Sequence, residues 1–283
     1  MTVEIAAAFL DHQLAAWTRS KPLVVGISGP QGSGKSYLAT HLLHHLNTKH
    51  PKLTSVGVSV DDFYLTHSEQ AKVSADAKKS GNFVLEGRGL PGTHDLSLAF
   101  NTMDALVSGK PAKVPRYDKS AFNGEGDRTP EQNWQVVAEP VNVIVFEGWF
   151  NGYRAIDQTV FPSVYLSNDP SGPVHRSSMA HLEEINTNLQ KYEKLWDMFD
   201  CSVILRAVDL DYVYKWRLQQ ESELISRKGQ GMKEADVISF VNRYMPIYDL
   251  YYWRMCDQGI SKKGTNLCLS LDFDRNVTQQ KMI

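Results

Sequence analysis

Hydrophobic and polar positions follow two periods along this chain, and together the periods predict strands interleaved with helices. Near-continuous apolar runs at 23–28 and 141–146 are typical of strands buried on both faces of a parallel sheet. Residues 54–60 alternate in the strand period, with valine at every second position from Val56 to Val60. Further strands are predicted near 163–166, 201–205 and 266–273. Apolar spacing predicts helices over 36–49, 96–108, 182–199, 209–227 and 233–254.

This alternation predicts an α/β fold with a doubly wound parallel sheet, built as a single domain over 1–283. Residues 1–20 are expected to form an amphipathic N-terminal helix. Its core-facing residues are Ile5, Phe9, Leu10, Leu14 and Trp17. The polar, glycine-rich segments 66–95 and 109–134 predict loops on either side of the 96–108 helix. No apolar run is long enough to span a bilayer.

Composition narrows the class of partner. The net charge of −2 argues against a nucleic-acid-binding protein held by a broad basic surface. The three cysteines, Cys201, Cys256 and Cys268, form no C-x-x-C pair. We therefore expect reduced thiols in a cytoplasmic protein, with neither a membrane nor a nucleic acid as partner.

The strongest chemical signal is GPQGSGKS, from Gly29 to Ser36, which matches G-x-x-x-x-G-K-[ST] between a strand and a helix. Backbone N–H groups of such a loop surround a phosphate, and the positive end of the helix attracts it. Lys35 is expected to reach the β- and γ-phosphates, and Ser36 to bind Mg²⁺. The predicted nucleotide-binding residues here are Gly29, Pro30, Gln31, Gly32, Ser33, Gly34, Lys35, Ser36 and Tyr37. The sequence thus predicts a nucleoside triphosphate as ligand.

Acidic residues follow two other predicted strands: Asp61 and Asp62 after the second, and Glu147 after the 141–146 run. Because ligands of doubly wound sheets bind beyond the carboxyl ends of the strands, these carboxylates should converge on the triphosphate. Glu147 stands in the Walker B position and is expected to hold Mg²⁺ or one of its waters. Asp61 or Asp62 would orient an attacking hydroxyl and accept its proton.

Cationic side chains for the transferred phosphate are expected on a lid over about 217–232. Arg217 and Arg227 precede a segment with Gly229 and Gly231, which could let the lid hinge and exclude water. An ordinary solvated helix with a glycine cap is the alternative interpretation.

The chain resembles the superfamily of P-loop small-molecule kinases that includes phosphoribulokinase, uridine kinase and pantothenate kinase. Its motifs GPQGSGKS, SVDDFYLTH, GRGLPGTHD, PRYDKS with GEGDR, VFEGWF and YKWRLQQE are most similar to those of glycerate 3-kinases and their fungal relatives. The resemblance implies a P-loop kinase fold with a helical lid, ATP and Mg²⁺ as cofactors, and Asp61 rather than Asp62 as the base. It also implies metal support by Glu147 and phosphate contacts by Arg217 and Arg227.

The same resemblance places the acceptor site in the two loop segments around residues 88–128. Arg88, Lys119 and Arg128 are candidate clamps for a carboxylate. The full set of predicted acceptor residues is Asp62, Tyr64, Arg88, His94, Asp95, Tyr117, Asp118, Lys119 and Arg128. D-glycerate is the expected acceptor, and its product is 3-phosphoglycerate. Each of these charged residues could instead form a surface ion pair.

Two further groups of residues are interpreted from the sequence. Arg275, after the last predicted strand, could stack on the adenine. His41, His44, His45 and His50 are expected to be structural, because no nearby cysteine or carboxylate completes a metal site.

Two alternative functions stay open at the level of sequence. One is a kinase for another small acceptor, such as a nucleoside, pantothenate or a sugar phosphate. The other is an ATP-binding switch or scaffold without small-molecule kinase activity. The absence of an N-K-x-D motif disfavours a GTPase.

Overall fold

The computed structural model describes residues 1–18, 20–228 and 231–283, without the side chains of Leu224, Arg227 and Lys228. Its strands are β1 (Leu23–Ser28), β2 (Ser55–Ser59), β3 (Ala112–Val114), β4 (Tyr117–Asp118), β5 (Asp127–Arg128), β6 (Gln135–Val137), β7 (Val143–Gly148), β8 (Cys201–Ala207), β9 (Asn266–Leu271) and β10 (Val277–Met282). Its α-helices are α1 (Thr2–Ala15), α2 (Lys35–Lys49), α3 (His67–Ser80), α4 (Leu96–Val107), α5 (Phe161–Ser167), α6 (Met179–Gln190), α7 (Glu193–Trp196), α8 (Tyr212–Lys228), α9 (Glu234–Asn242), α10 (Met245–Ile247) and α11 (Trp253–Gln258).

The main sheet has six strands in the order β10-β9-β8-β1-β7-β2. All neighbours pair in parallel except the terminal pair, β9 with β10. Every residue of β1 is buried, as expected for a central strand covered on both faces. This arrangement confirms the doubly wound α/β prediction.

Helices cover both faces of the sheet. On one face α1 and α2 pack against Leu23, Val25 and Ile27 of β1. On the other, side chains from α4 and α6 pack around Val24 and Phe146. Because β1 and β7 are adjacent and parallel, Ile27 pairs with Glu147, and the P-loop emerges beside that carboxylate.

Several elements differ from the sequence-based predictions. The predicted strand near 163–166 is wrong, because these residues lie in α5, where Pro162 occupies the first turn, a position that favours helix. The segment 66–95 contains the helix α3, and β10 adds an edge strand that was not predicted. The predicted 182–199 helix is two helices, α6 and α7, and Trp17 lies beyond the end of α1.

One premise about the α2 histidines is wrong, namely that no carboxylate lies near them. A carboxylate does lie beside them, because Asp11 of α1 accepts hydrogen bonds from His45 and from His50, which caps α2. His41 and His44 lie outside this cluster. All three cysteines are buried and without a disulfide, as the sequence predicted.

The segment 115–130 folds back toward the main sheet through the short β4–β5 ladder, in which Tyr117 pairs with Arg128. A second small ladder, β3 with β6, frames it. No helix in the described ranges combines the length and the apolar character needed to cross a membrane.

Candidate active site

The P-loop connects β1 to α2 at the carboxyl edge of the sheet. Gly32 has φ of +82°, and a Cβ there would lie 2.4 Å from Cβ of Trp216, so both the backbone and the packing require glycine. Lys35 is buried and its ammonium donates to the carbonyl oxygen of Pro30 at 3.0 Å. Burial lowers its pKa, while the charges of Glu147 and Asp61 oppose that shift. The loop therefore presents N–H groups and a buried cation to one cleft.

Glu147 lies at the end of β7, beside the first turn of α2. Its Oε1 accepts hydrogen bonds from Ser36 at 3.2 Å and from Ser59 at 2.7 Å. A carboxylate and a hydroxyl oxygen at this separation suit Mg²⁺, which prefers oxygen ligands and keeps several waters. The described residues thus fit the predicted metal position.

Asp61 follows β2 in a short 3₁₀ turn over Val60–Phe63. Its two carboxylate oxygens accept hydrogen bonds from the Tyr64 hydroxyl at 2.8 Å and from the Lys119 ammonium at 2.6 Å. Burial favours the neutral acid, but the Lys119 charge and the two hydrogen bonds outweigh it and lower the pKa of Asp61 to about 2. Asp61 is therefore ionised and aimed into the cleft.

Asp62 has a different environment from its neighbour. Its carboxylate accepts hydrogen bonds from the Arg116 guanidinium at 2.9 Å and from the Tyr117 backbone N–H at 3.1 Å. Burial raises its pKa against the opposing charge of Arg116. Asp62 thereby fixes the start of the 116–128 segment and does not line the cleft.

His94 is buried next to the Asp61 site. Its ring lies 4.6 Å from the Tyr64 ring, and its Nδ1 is 2.9 Å from the Tyr192 hydroxyl. Its Nε2 has no hydrogen-bond partner within the described residues. Burial lowers the pKa of His94 to about 3, so the imidazole is neutral. Its position supports the Tyr64 ring from behind.

The predicted acceptor residues divide into two groups. Tyr64, Arg88 and Lys119 line the cleft. The Arg88 guanidinium also donates to the carbonyl oxygens of Gly124 and Glu125, which fixes the 116–128 segment. The remaining residues do not line the cleft. These are Asp62, His94, Asp95, Tyr117, Asp118 and Arg128.

Most of the predicted acceptor residues outside the cleft hold in place the residues that line it. Arg128 pairs with Asp95 at 3.2 Å and donates to the carbonyl oxygen of Tyr64 at 2.8 Å. Asp95 also caps the N-terminus of α4. Tyr117 packs edge-on against the Tyr64 ring. Asp118 accepts hydrogen bonds from the backbone and hydroxyl of Ser120.

Arg217 projects from α8 into the cleft. Its guanidinium donates to Gln220 at 2.8 Å, pairs with Glu221 at 3.4 Å and lies over the Phe240 ring. The side chain of Arg227, the other predicted lid arginine, lies outside the described part of the structure. Gly229 and Gln230, in the predicted lid, lie entirely outside it. Arg275 lies over the Trp216 ring and donates to the carbonyl oxygen of Gly32 at 2.7 Å, so it braces the P-loop.

The cleft has a volume of about 240 Å³ and includes residues that the sequence did not single out. They are Trp149, Gln220, Phe240 and Tyr244. Trp149 donates its indole N–H to Gly89 at 2.9 Å, and Tyr244 donates to Arg88 at 3.3 Å. Trp149 could have been noticed two residues after Glu147, whereas nothing in the sequence around Tyr244 signals the cleft.

Comparisons with known proteins show what this chain is similar to. A model of the phosphoribulokinase and uridine kinase family matches residues 24–170. A Saccharomyces cerevisiae protein described as a probable ATP-dependent kinase, TDA10, is 37% identical over 96% of this chain and 93% of its own length. The chloroplastic D-glycerate 3-kinase of Arabidopsis thaliana is 39% identical over 89% of this chain, which spans only 53% of that longer enzyme.

A solved structure extends the similarity to three dimensions. The D-glycerate 3-kinase of Cryptococcus neoformans var. grubii is 37% identical and superposes with a TM-score of 0.88. The match covers 100% of this chain and 99% of the other. The similarity therefore includes the main sheet, the P-loop and the loops that line the cleft.

Proposed function

Because the chain belongs to the phosphoribulokinase and uridine kinase family and is an ATP-dependent small-molecule kinase, we propose that its acceptor is D-glycerate and its product 3-phosphoglycerate. The observation that carries this proposal is an ionised Asp61 in one cleft with the cations of Arg88 and Lys119. Glycerate has both groups that such a cleft can hold, a carboxylate for the cations and a hydroxyl for Asp61. The two glycerate kinases among the relatives support the same acceptor.

Lys119 has a dual role in the proposed reaction. Without an acceptor, its ammonium neutralises Asp61 at 2.6 Å. The acceptor carboxylate competes for that ammonium and frees one oxygen of Asp61 for the hydroxyl that attacks. Asp61 then accepts the hydroxyl proton as the hydroxyl oxygen bonds to the γ-phosphorus of ATP. The bond from that phosphorus to the oxygen bridging the β- and γ-phosphates breaks, and ADP leaves. A weakly basic carboxylate suffices, because phosphoryl transfer passes through a loose transition state in which positioning and charge matter most.

The donor end of the cleft stabilises the transferred phosphate. Lys35 and the N–H groups of the P-loop hold the triphosphate, and Arg217 adds positive charge from the lid side. Ser36 and Glu147 would hold Mg²⁺, which neutralises charge on the phosphates when it is bound. Trp149 and Phe240 line the cleft and limit water near the reacting atoms.

The test of the base is the Asp61→Asn variant, assayed by glycerate-stimulated ADP release. We expect kcat to fall by about 10²–10⁴-fold, because the amide keeps the shape of the carboxylate but cannot accept the proton. ATP binding, followed by calorimetry, should be retained. Asp76→Asn is the matched control, since Asp76 is exposed and pairs with the equally exposed Lys79 on the same helix. Near-normal turnover by Asp61→Asn would exclude the proposed role.

The acceptor itself is tested with a panel compared by kcat/KM. Glycerol tests the carboxylate directly, because it keeps the hydroxyls of glycerate and lacks the acid. Uridine, pantothenate and a sugar phosphate represent the other acceptors of the family. We expect glycerate to exceed each of them, and equal kcat/KM for glycerol would show that no cation in the cleft recognises a carboxylate.

A further inference from the structure

A second polar cluster lies away from the cleft, where α1 meets the C-terminal end of α2. It consists of Asp11, His45 and His50, and the three side chains are 21–30% exposed. His45 is ten residues beyond Lys35 on the same helix, which separates the cluster from the P-loop by about 15 Å along the helix axis. The proposed kinase chemistry uses none of these residues.

The three side chains present ligand atoms to one point. Nε2 of His45 and Nε2 of His50 lie 2.9 and 2.8 Å from the same oxygen of Asp11. All three atoms lie within 4.8 Å of one another. Tetrahedral Zn²⁺ with bonds of about 2.0–2.1 Å separates its ligands by about 3.3–3.4 Å. An outward movement of roughly half an ångström of each histidine Nε2 from the Asp11 oxygen would therefore open the cluster to an ion.

We propose that Asp11, His45 and His50 form a binding site for a divalent transition-metal ion of the Zn²⁺ type, which joins α1 to α2. Two imidazoles and one carboxylate are a ligand set that such ions favour over Mg²⁺ or Ca²⁺. Each imidazole would bind through a deprotonated Nε2, with its proton on Nδ1. Water completes the coordination from a surface cleft of about 420 Å³ that Asp11 and His50 line.

Lys49 allows a second test of the proposal, in which a substitution should strengthen metal binding instead of weakening it. Its ammonium lies 2.5 Å from the other oxygen of Asp11, one turn after His45 on the same face of α2. That contact leaves the first oxygen for the ion, but the positive charge repels a cation. Removal of Lys49 should therefore tighten metal binding, a gain that a purely structural histidine cluster would not produce.

The experiment titrates the full chain with ZnCl₂ by calorimetry, without nucleotide. The Glu147→Gln variant serves as the background, so that the carboxylate predicted to hold Mg²⁺ in the kinase cleft does not contribute to the signal. We expect one strong site, and a loss of affinity of about tenfold or more in His45→Gln, His50→Gln and Asp11→Asn. His44→Gln is the matched control, because His44 is exposed on the same helix outside the cluster. Circular dichroism establishes that each variant is folded.

Two more measurements complete the test. CoCl₂ should give the visible absorption of a four-coordinate site, which His45→Gln should abolish. Lys49→Met should bind Zn²⁺ severalfold more tightly, and Lys52→Met should not. Equal affinities in the parent, His45→Gln and His50→Gln would overturn the proposal, as would failure of the parent to bind Zn²⁺. Loss of Zn²⁺ binding in the His44→Gln control would also overturn the proposal, because the ion would then bind to a different set of residues.

Discussion

At the scale of single residues, the ion pair between Asp61 and Lys119 shifts the pKa values of both side chains. Asp61 is half-buried, with 24% of its side chain exposed, and burial alone would raise the pKa of its carboxyl. The Lys119 charge and the hydrogen bonds from Lys119 and Tyr64 reverse that effect and hold the pKa at about 2. In return, Asp61 raises the pKa of Lys119. The negative charge of Asp61 and the positive charge of Lys119 therefore stabilise each other.

The pair predicts a shift in the pH dependence of turnover. In Lys119→Met the opposing charge is gone while the burial of Asp61 remains, so the pKa of Asp61 should rise from about 2. Since the proposed base must be ionised to accept the proton, we expect activity to be lost as the pH falls through that pKa. The acid limb of the kcat/KM profile should therefore move to higher pH. Lys119→Arg, which keeps the charge, should leave it near its original position.

The pH at which the acid limb of the kcat/KM profile falls distinguishes a change in the pKa of Asp61 from a simple loss of acceptor binding. A Lys119→Met enzyme that only binds glycerate poorly would show a lower profile of unchanged shape. An unshifted limb in that variant would contradict the charge coupling between Lys119 and Asp61.

At the scale of elements, the sequence predicts the structure best where a chemical motif follows a buried apolar strand. The P-loop, Asp61 and Glu147 follow strands whose apolar runs identify them, and the structure brings all three into one cleft. The helix α3 escaped prediction because it is mostly polar, with Gln70 and Ala77 as its buried residues.

Other parts of the site depend on contacts between distant segments. Tyr244 approaches Arg88 across 156 positions of sequence, and no local period records such a contact. Similarly, Asp11 lies 34 residues before His45, and only the packing of α1 on α2 brings them together. The strand ends of a parallel sheet can therefore be placed together from sequence, whereas contacts between distant helices and loops cannot.

The turn at Gly89 supplies a prediction for the acceptor loop. Its φ is +128°, and a Cβ there would lie 1.9 Å from the Tyr244 hydroxyl oxygen. Gly89→Ala should lower the free energy of unfolding by about 1–3 kcal/mol and reduce kcat/KM for glycerate, because the loop that holds Arg88 must shift. Urea unfolding and steady-state kinetics measure the two effects.

Gly264→Ala is the matched control, since Gly264 also has a positive φ, +83°. Apart from its chain neighbours, no atom of the described residues lies within 4 Å of its added Cβ. It should lose some stability without loss of kcat/KM. Tyr244→Phe should partly rescue Gly89→Ala by removing the clashing hydroxyl. Equal kinetic effects of the two glycine variants would refute the assigned contact.

At the scale of the whole molecule, distant segments brace the P-loop. Tyr248 accepts a hydrogen bond from the Gln31 backbone at 3.0 Å, and Arg275 donates to Gly32 from beyond the last parallel strand. Trp216 of α8 packs beside the same glycine. The strand β1 that leads into the loop is also central in the sheet. Phosphate binding should therefore depend on the packing of the complete chain.

This coupling predicts that nucleotide stabilises the molecule as one unit. Mg²⁺-ADP at a hundred times its Kd should add about 2.7 kcal/mol to the free energy of unfolding. The thermal midpoint should then rise by roughly 5–10 °C in a single transition, followed by calorimetry. Lys35→Met should abolish most of the rise, because it removes the cation that we propose contacts the phosphates.

Arg275→Gln distinguishes bracing of the loop from direct phosphate binding. The variant loses the hydrogen bond to Gly32, so we expect weaker nucleotide binding and a smaller rise in midpoint at a fixed nucleotide concentration. Arg254→Gln controls for the loss of charge, because Arg254 is exposed and donates to Gln258. Two separate transitions, of which nucleotide moves only one, would mean that the P-loop half unfolds independently. An Arg275→Gln midpoint that rises as in the parent would mean that the loop holds its shape without the C-terminal segment.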